Sequence, residues 1–188
     1  MRLGNSRGNR LVTLGAALWG LAEATVFFIV PDVLLSFIAQ VSLKRTLFAA
    51  LAAGAGAMAG GALLHSFASA DPQAAQALLL NVPGISPALV ARVAGLIEDG
   101  LLSGMVMGSL SGAPYKIFVV DAALAGVPLL TLVLVSLPAR LLRFALAAPA
   151  SWLIFNRLLG HLALRTRRWM LAGFWLVFYA GYFAAMGW

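Results

Sequence analysis

From Leu11 to Leu43 the chain is apolar and carries no basic residue; its only charges there are Glu23 and Asp32. As one straight helix this stretch would be roughly 50 Å long at 1.5 Å per residue, against a bilayer core of about 30 Å. Pro31 would also break it near the middle. The stretch is too apolar for a solvated surface and too long for one span.

Composition points the same way. The chain is 62% hydrophobic and 10% charged, with a mean hydropathy of +0.97. Soluble domains run near about 45–50% apolar and about 25% charged. A water-soluble enzyme, a disordered tail and a fibrous repeat are excluded, and an all-α polytopic membrane protein is expected. The 13 Lys+Arg against 6 Asp+Glu leave a net charge of +7. Such an excess ordinarily suggests nucleic acid. In so apolar a chain the expected partner is instead the anionic bilayer face, which holds each juxtamembrane Lys or Arg by roughly 1 kcal/mol. No nucleic-acid partner is expected. There is no cysteine, so disulfides, thiol redox chemistry and Cys-type metal sites are excluded. His65 and His161 are the only histidines and have no metal-ligand spacing, so no metal or cofactor is expected.

Charge sets the sidedness. Arg2, Arg7 and Arg10 precede the first apolar stretch, and Lys44 and Arg45 come after it. The positive-inside rule keeps both flanks cytoplasmic, which a single span cannot do. A re-entrant hairpin over 11–43 can, with arms Leu11–Phe28 and Asp32–Val41 and its tip at Ile29-Val30-Pro31. A cleaved signal peptide is the competing reading, with Ala22-Glu23-Ala24 mimicking a cleavage site, but the apolar run continues well past it.

The remaining chain divides on the same logic, after a cytoplasmic tail at 1–10. Residues 46–69 form a transmembrane helix rich in small residues, whose Gly56-x-x-x-Gly60 allows close helix approach and permits self-association. Residues 70–100 form an external amphipathic segment. Asp71-Pro72 and Ser86-Pro87 each start a short helix there, split at Asn81-Val82-Pro83-Gly84. Residues 101–127 read as a second re-entrant hairpin entering from outside, broken near Ser111-Gly112-Ala113-Pro114. Beyond it come a transmembrane helix at 128–155, a basic cytoplasmic loop at 156–168 and a last span at 169–188. Trp169 and Trp188 anchor the last span at the two interfaces. Hairpin plus span thus occurs twice in opposite orientation, a transporter signature. A multi-pass inner or plasma membrane protein with a cytoplasmic N-terminus is expected.

Chemistry should reside in the charges at membrane depth: Glu23, Asp32 and Asp121 against Lys116, Arg140 and Arg143. Intramembrane ionisable residues are costly and usually face a cavity with partners. Glu23 and Asp32, across the Pro31 break, can both point at the hairpin tip, where desolvation favours the neutral carboxylic acid that a proton-coupled carrier needs. Arg140 and Arg143 are three apart and share a helix face, and Pro138 should loosen the helix beside them. With Lys116 they can cradle a phosphate. The structural alternative is that these cations only pair with the acids, or that Arg143 snorkels to the interface.

The segment Glu23-Ala-Thr-Val-Phe-Phe-Ile-Val-Pro31-Asp32 resembles the first hairpin of the DedA (VTT-domain, SNARE-associated) membrane proteins, whose two acids are also nine apart. Glu98-Asp99-Gly100 and then Gly112-Ala-Pro114-Tyr115-Lys116-Ile-Phe118 resemble their second hairpin, in the branch with a Pro-Tyr-Lys motif. Gly126 and Arg140-x-x-Arg143-Phe144 resemble the family's segment C-terminal to that hairpin. The likeness covers Trp19 to Trp152. It departs in having one proline, Pro31, where the family has two, an Asp as second acid, and Leu110 where many members carry arginine. The resemblance implies a transporter or scramblase for lipids with phosphate head groups, such as undecaprenyl phosphate or phospholipid, with protons as a coupling ion. It carries Glu23, Asp32, Lys116 and Arg140 over as the working residues.

Two rivals come from other classes. One is a non-transporting membrane assembly or biogenesis factor. The other is an intramembrane serine protease using Ser109 or Ser111 with His161; a dyad requires both groups at one depth, and His161 lies in the arginine-rich segment. The favoured reading is not an enzyme.

Overall fold

The computed structural model describes residues 6–186. Among them the secondary structure is entirely helical: α1 (Ser6–Glu23), α2 (Asp32–Ala39), α3 (Leu43–Ala70), α4 (Pro72–Leu80), α5 (Pro87–Glu98), α6 (Leu101–Ser111), α7 (Tyr115–Leu124), α8 (Leu129–Leu153), a π-helical turn (Ile154–Leu158) and α9 (Leu164–Met186). Two helical stretches, Leu43–Ala70 and Leu129–Leu158, are long and apolar enough to cross a membrane.

Local chemistry explains several helix ends. Ser42 caps α3 by accepting the Arg45 N–H, Asp71 caps α4 by accepting the Ala74 N–H, and Ser86 caps α5 by accepting the Leu89 N–H. In α4 and α5 proline occupies the first turn, where its missing N–H costs nothing. Gly112 ends α6 at φ +83°, a left-handed conformation that side chains with a Cβ resist.

α1 and α3 form the closest pair. A Cβ on Gly56 would strike the backbone carbonyl of Ala17, and one on Gly60 would strike that of Leu21. A four-residue advance on α1 thus matches a four-residue advance on α3, so the two helices run in the same direction. The segment between them, including α2, must therefore bring the chain back. α7 is the central post: Tyr115 to Val120, Ala122 and Ala123 are all buried, as expected of a helix enclosed on every side. It packs against α3, α4, α5, α6 and α8.

Residue size is sorted between the inside and the outside. α3 buries Ala49, Ala50, Ala53, Gly56, Ala57 and Gly60 while Leu47, Phe48, Leu51 and Leu63 are exposed. α8 and α9 also expose large side chains, among them Leu130, Leu134, Leu146, Phe174, Leu176 and Val177.

Several boundaries differ from the sequence reading. α1 starts at Ser6, inside the expected tail, and ends at Glu23 rather than Phe28. The first break therefore spans residues 24–31, where side chains of α1, α7 and α9 take up the Ile29 and Phe27 carbonyls and the Val30 N–H. α8 runs unbroken through Pro138 and Pro149. The expected basic loop is partly helix: Arg165, Arg167 and Arg168 lie in the first turns of α9. Arg2 and Trp188 lie outside the described residues.

Candidate functional site

The first helix break has no regular backbone partner for several groups, and three side chains supply them. Trp19 Nε1 of α1 donates to the Ile29 carbonyl at 2.9 Å, Lys116 Nζ of α7 donates to the Phe27 carbonyl at 3.0 Å, and Tyr179 Oη of α9 accepts the Val30 N–H at 2.9 Å. Irregular backbone away from solvent requires partners of this kind. Pro31 then leads directly into α2, whose first residue is Asp32.

The second break lies at Gly112-Ala113-Pro114, between α6 and α7. The Ala113 N–H reaches back to the Gly108 carbonyl, and Pro114 precedes the first turn of α7. Within that turn, Lys116 is 1% exposed, so the helix start sends its ammonium into the protein rather than outward.

α8 brings two arginines to the same place. Arg140 Nη2 lies 2.6 Å from Glu23 Oε2, and Arg143 Nη2 lies 2.8 Å from Asp32 Oδ2. Arg143 Nη1 also donates to the Ser109 carbonyl at 3.1 Å. The two breaks are therefore cross-tied. A cation from the second break holds a carbonyl of the first, while Arg143 holds both Asp32 beside the first break and a carbonyl beside the second. Glu23, Asp32 and Arg140 are buried; Arg143 is the most open of the four ion-pair members, with 26% of its side chain exposed.

Aromatic and hydroxyl groups complete the surroundings. The Arg140 guanidinium sits 4.6 Å above the Tyr115 ring centroid and 5.8 Å from that of Phe144, within the range of cation–π attraction. Tyr115 Oη donates to Ser136 Oγ at 3.0 Å, and Ser136 Oγ donates to the Leu132 carbonyl. Arg140 Nε has no hydrogen-bond partner although buried. That leaves a donor in the cluster unused, which is costly unless something else takes it.

The six residues singled out in the sequence are thus divided. Glu23, Asp32, Lys116, Arg140 and Arg143 come together. Asp121, half-buried further along α7, does not join them: its Oδ2 is buried without a hydrogen-bond partner, and no ion pair among the described residues includes it. By formal charge these five residues are three cations and two acids, one positive charge in excess.

Sequence reasoning missed Tyr115, Ser136 and Trp19 as site residues. Their spacing carried a signal: Ser136 lies four before Arg140, and Trp19 four before Glu23, each on the same helix face. The protease candidates are not brought together. Ser109 Oγ and Ser111 Oγ donate to the Val106 and Gly108 carbonyls, and His161 is exposed. His65 Nε2 pairs with the Val127 carbonyl at 2.8 Å. No cluster of metal-ligating side chains occurs among the described residues. No protein-family model matches the chain, and no curated protein or solved structure matches it significantly.

Proposed function

We propose that this is a multi-pass membrane protein that moves a lipid phosphate across the bilayer, its two broken helices acting as re-entrant hairpins that meet at membrane depth. The observation that carries the reading is the largely buried group of three cations and two acids whose bonds tie both breaks. The size sorting supports a hydrocarbon surround: small residues mediate close helix contact and large apolar ones face outward. The common direction of α1 and α3 suits a first hairpin with both flanks cytoplasmic. The likeness to DedA proteins points to the same substrate class.

In this reading the excess positive charge receives the substrate anion. Lys116 is held at the break by a neutral carbonyl, so a phosphate oxygen gains more from it than the carbonyl does. Arg140 offers its unused Nε as a second donor. A phosphate that displaces Glu23 from Arg140 leaves a buried carboxylate, and a proton taken up there restores neutrality. Release on the far side reverses both steps. Phosphate transfer and proton transfer are thereby linked.

The paired geometry also fits a protein whose charges only hold the bundle together, as in an assembly factor. Reconstitution with labelled lipid phosphate separates the two. Transport predicts flipping in wild type that is lost in Glu23→Gln and Arg140→Ala; wild-type vesicles that flip no faster than protein-free ones leave the assembly reading.

A further inference from the structure

A second cationic feature lies apart from the ionic cluster. A cavity of about 340 Å³ opens where α1, the end of α2, the start of α3 and the start of α9 converge, lined by Val12, Phe37, Ile38, Val41, Arg45 and Arg168. Two arginines and four apolar residues make up this lining. Neither arginine is in an ion pair with an acid among the described residues. Two arginines on one cavity without an acid beside them make it attractive to an anion.

The position of Arg168 is held by a polar net on the α9 side. Gln40 Nε2, just after α2, donates to the Arg167 carbonyl at 3.5 Å. Arg167 Nη1 donates to the Phe155 carbonyl and to Asn156 Oδ1, and Asn156 Nδ2 donates to the Ala39 carbonyl. The start of α9 is therefore tied to the end of α2, which keeps Arg168 on the same cavity as Arg45.

We propose that this cavity binds the phosphate head group of an anionic lipid, drawn from the leaflet that the Arg45 flank faces, with the upper acyl chain against Phe37, Ile38 and Val41. Charge complementarity selects the head group: two guanidiniums suit a phosphate monoester, whose oxygens accept several charge-assisted bonds. The apolar wall distinguishes a lipid from a free phosphate. The proposal rests on the membrane reading of the chain, and on the transport reading only for its role as a waiting site beside the first break.

Equilibrium binding tests it without requiring flipping. The full-length protein in an uncharged detergent is titrated with dioleoyl phosphatidate, dioleoyl phosphatidylcholine and inorganic phosphate, with bound lipid read by native mass spectrometry. Phosphatidate should bind in preference to phosphatidylcholine, and Arg45→Gln/Arg168→Gln should weaken it roughly 10- to 30-fold. Both arginines are exposed, so the double variant should fold. Val41→Glu, which sets an acid on the exposed wall, should weaken binding as well. Arg92→Gln, an exposed arginine on α5, should leave it unchanged. Unaltered binding in the double variant overturns the site, as does an equal loss in Arg92→Gln. Displacement of phosphatidate by an equal concentration of inorganic phosphate overturns the lipid assignment. Wild type that binds here but flips nothing refutes transport and leaves this site standing.

Discussion

Lys116 and Phe27 are 89 residues apart in the chain, yet the Lys116 ammonium donates to the Phe27 carbonyl at 3.0 Å. One bond therefore joins the two helix breaks. Removing Lys116 leaves the part-buried Phe27 carbonyl without this donor, which is costly.

The Glu23–Arg140 pair should behave as a coupled unit. Arg140→Met alone should cost about 3–5 kcal/mol, since it leaves a buried carboxylate without its partner, whereas Glu23→Leu/Arg140→Met should cost less than either single change predicts. Denaturation of the four proteins in detergent measures the coupling. Additive losses would show that the pair is not coupled in the folded protein.

Much of this was readable in the chain. Pro31 and the Gly112–Pro114 run mark the breaks, and Asp71 and Ser86 mark helix starts, because those are local rules of backbone geometry and capping. The length of the first break was not readable: Thr25 to Val30 contains no helix breaker, and Trp19, Lys116 and Tyr179 take up its Ile29 and Phe27 carbonyls and Val30 N–H. Three elements had to be placed before that could be known. Similarly, charge counting names the six candidates but not their pairing. It took the rotation of α8 and α7 to join Arg140 to Glu23 and Arg143 to Asp32, and to leave Asp121 aside. Arginines in the first turns of α9 resemble a loop in sequence because charge pattern reports sidedness, not helix ends.

The α1–α3 contact makes a position-specific prediction. Gly56→Ala should destabilise by about 1–3 kcal/mol, because the new methyl meets the Ala17 carbonyl and backbone cannot give way cheaply. Gly54→Ala, two residues earlier, meets only Leu141 Cδ2 at 4.0 Å and should be neutral or stabilising. Thermal unfolding of both variants decides this; equal losses would contradict the contact.

Cap removal at the two short helices should cost less and act locally. Asp71→Ala and Ser86→Ala should each lose about 1 kcal/mol, through the freed Ala74 and Leu89 N–H groups. Hydrogen exchange should quicken at the start of α4 in the first variant and of α5 in the second. A uniform rise across the chain would indicate a different cause.

The absence of native cysteine makes topology directly measurable. Lys44→Cys and Arg165→Cys should react with a membrane-impermeant maleimide from one side, and Pro83→Cys from the other. Labelling of Lys44→Cys and Pro83→Cys from the same side would remove the proposed first hairpin.

The most direct measurement is lipid flipping by a variant that keeps its fold and loses its buried charge. Glu23→Leu/Arg140→Met, shown by denaturation to be folded, is reconstituted beside wild type with fluorescent lipid phosphate, and the accessible fraction is tracked with time. Wild type should flip the lipid well above protein-free vesicles, and the folded double variant should fall to the protein-free rate. Equal flipping by both proteins would contradict a role for the ionic cluster in transport.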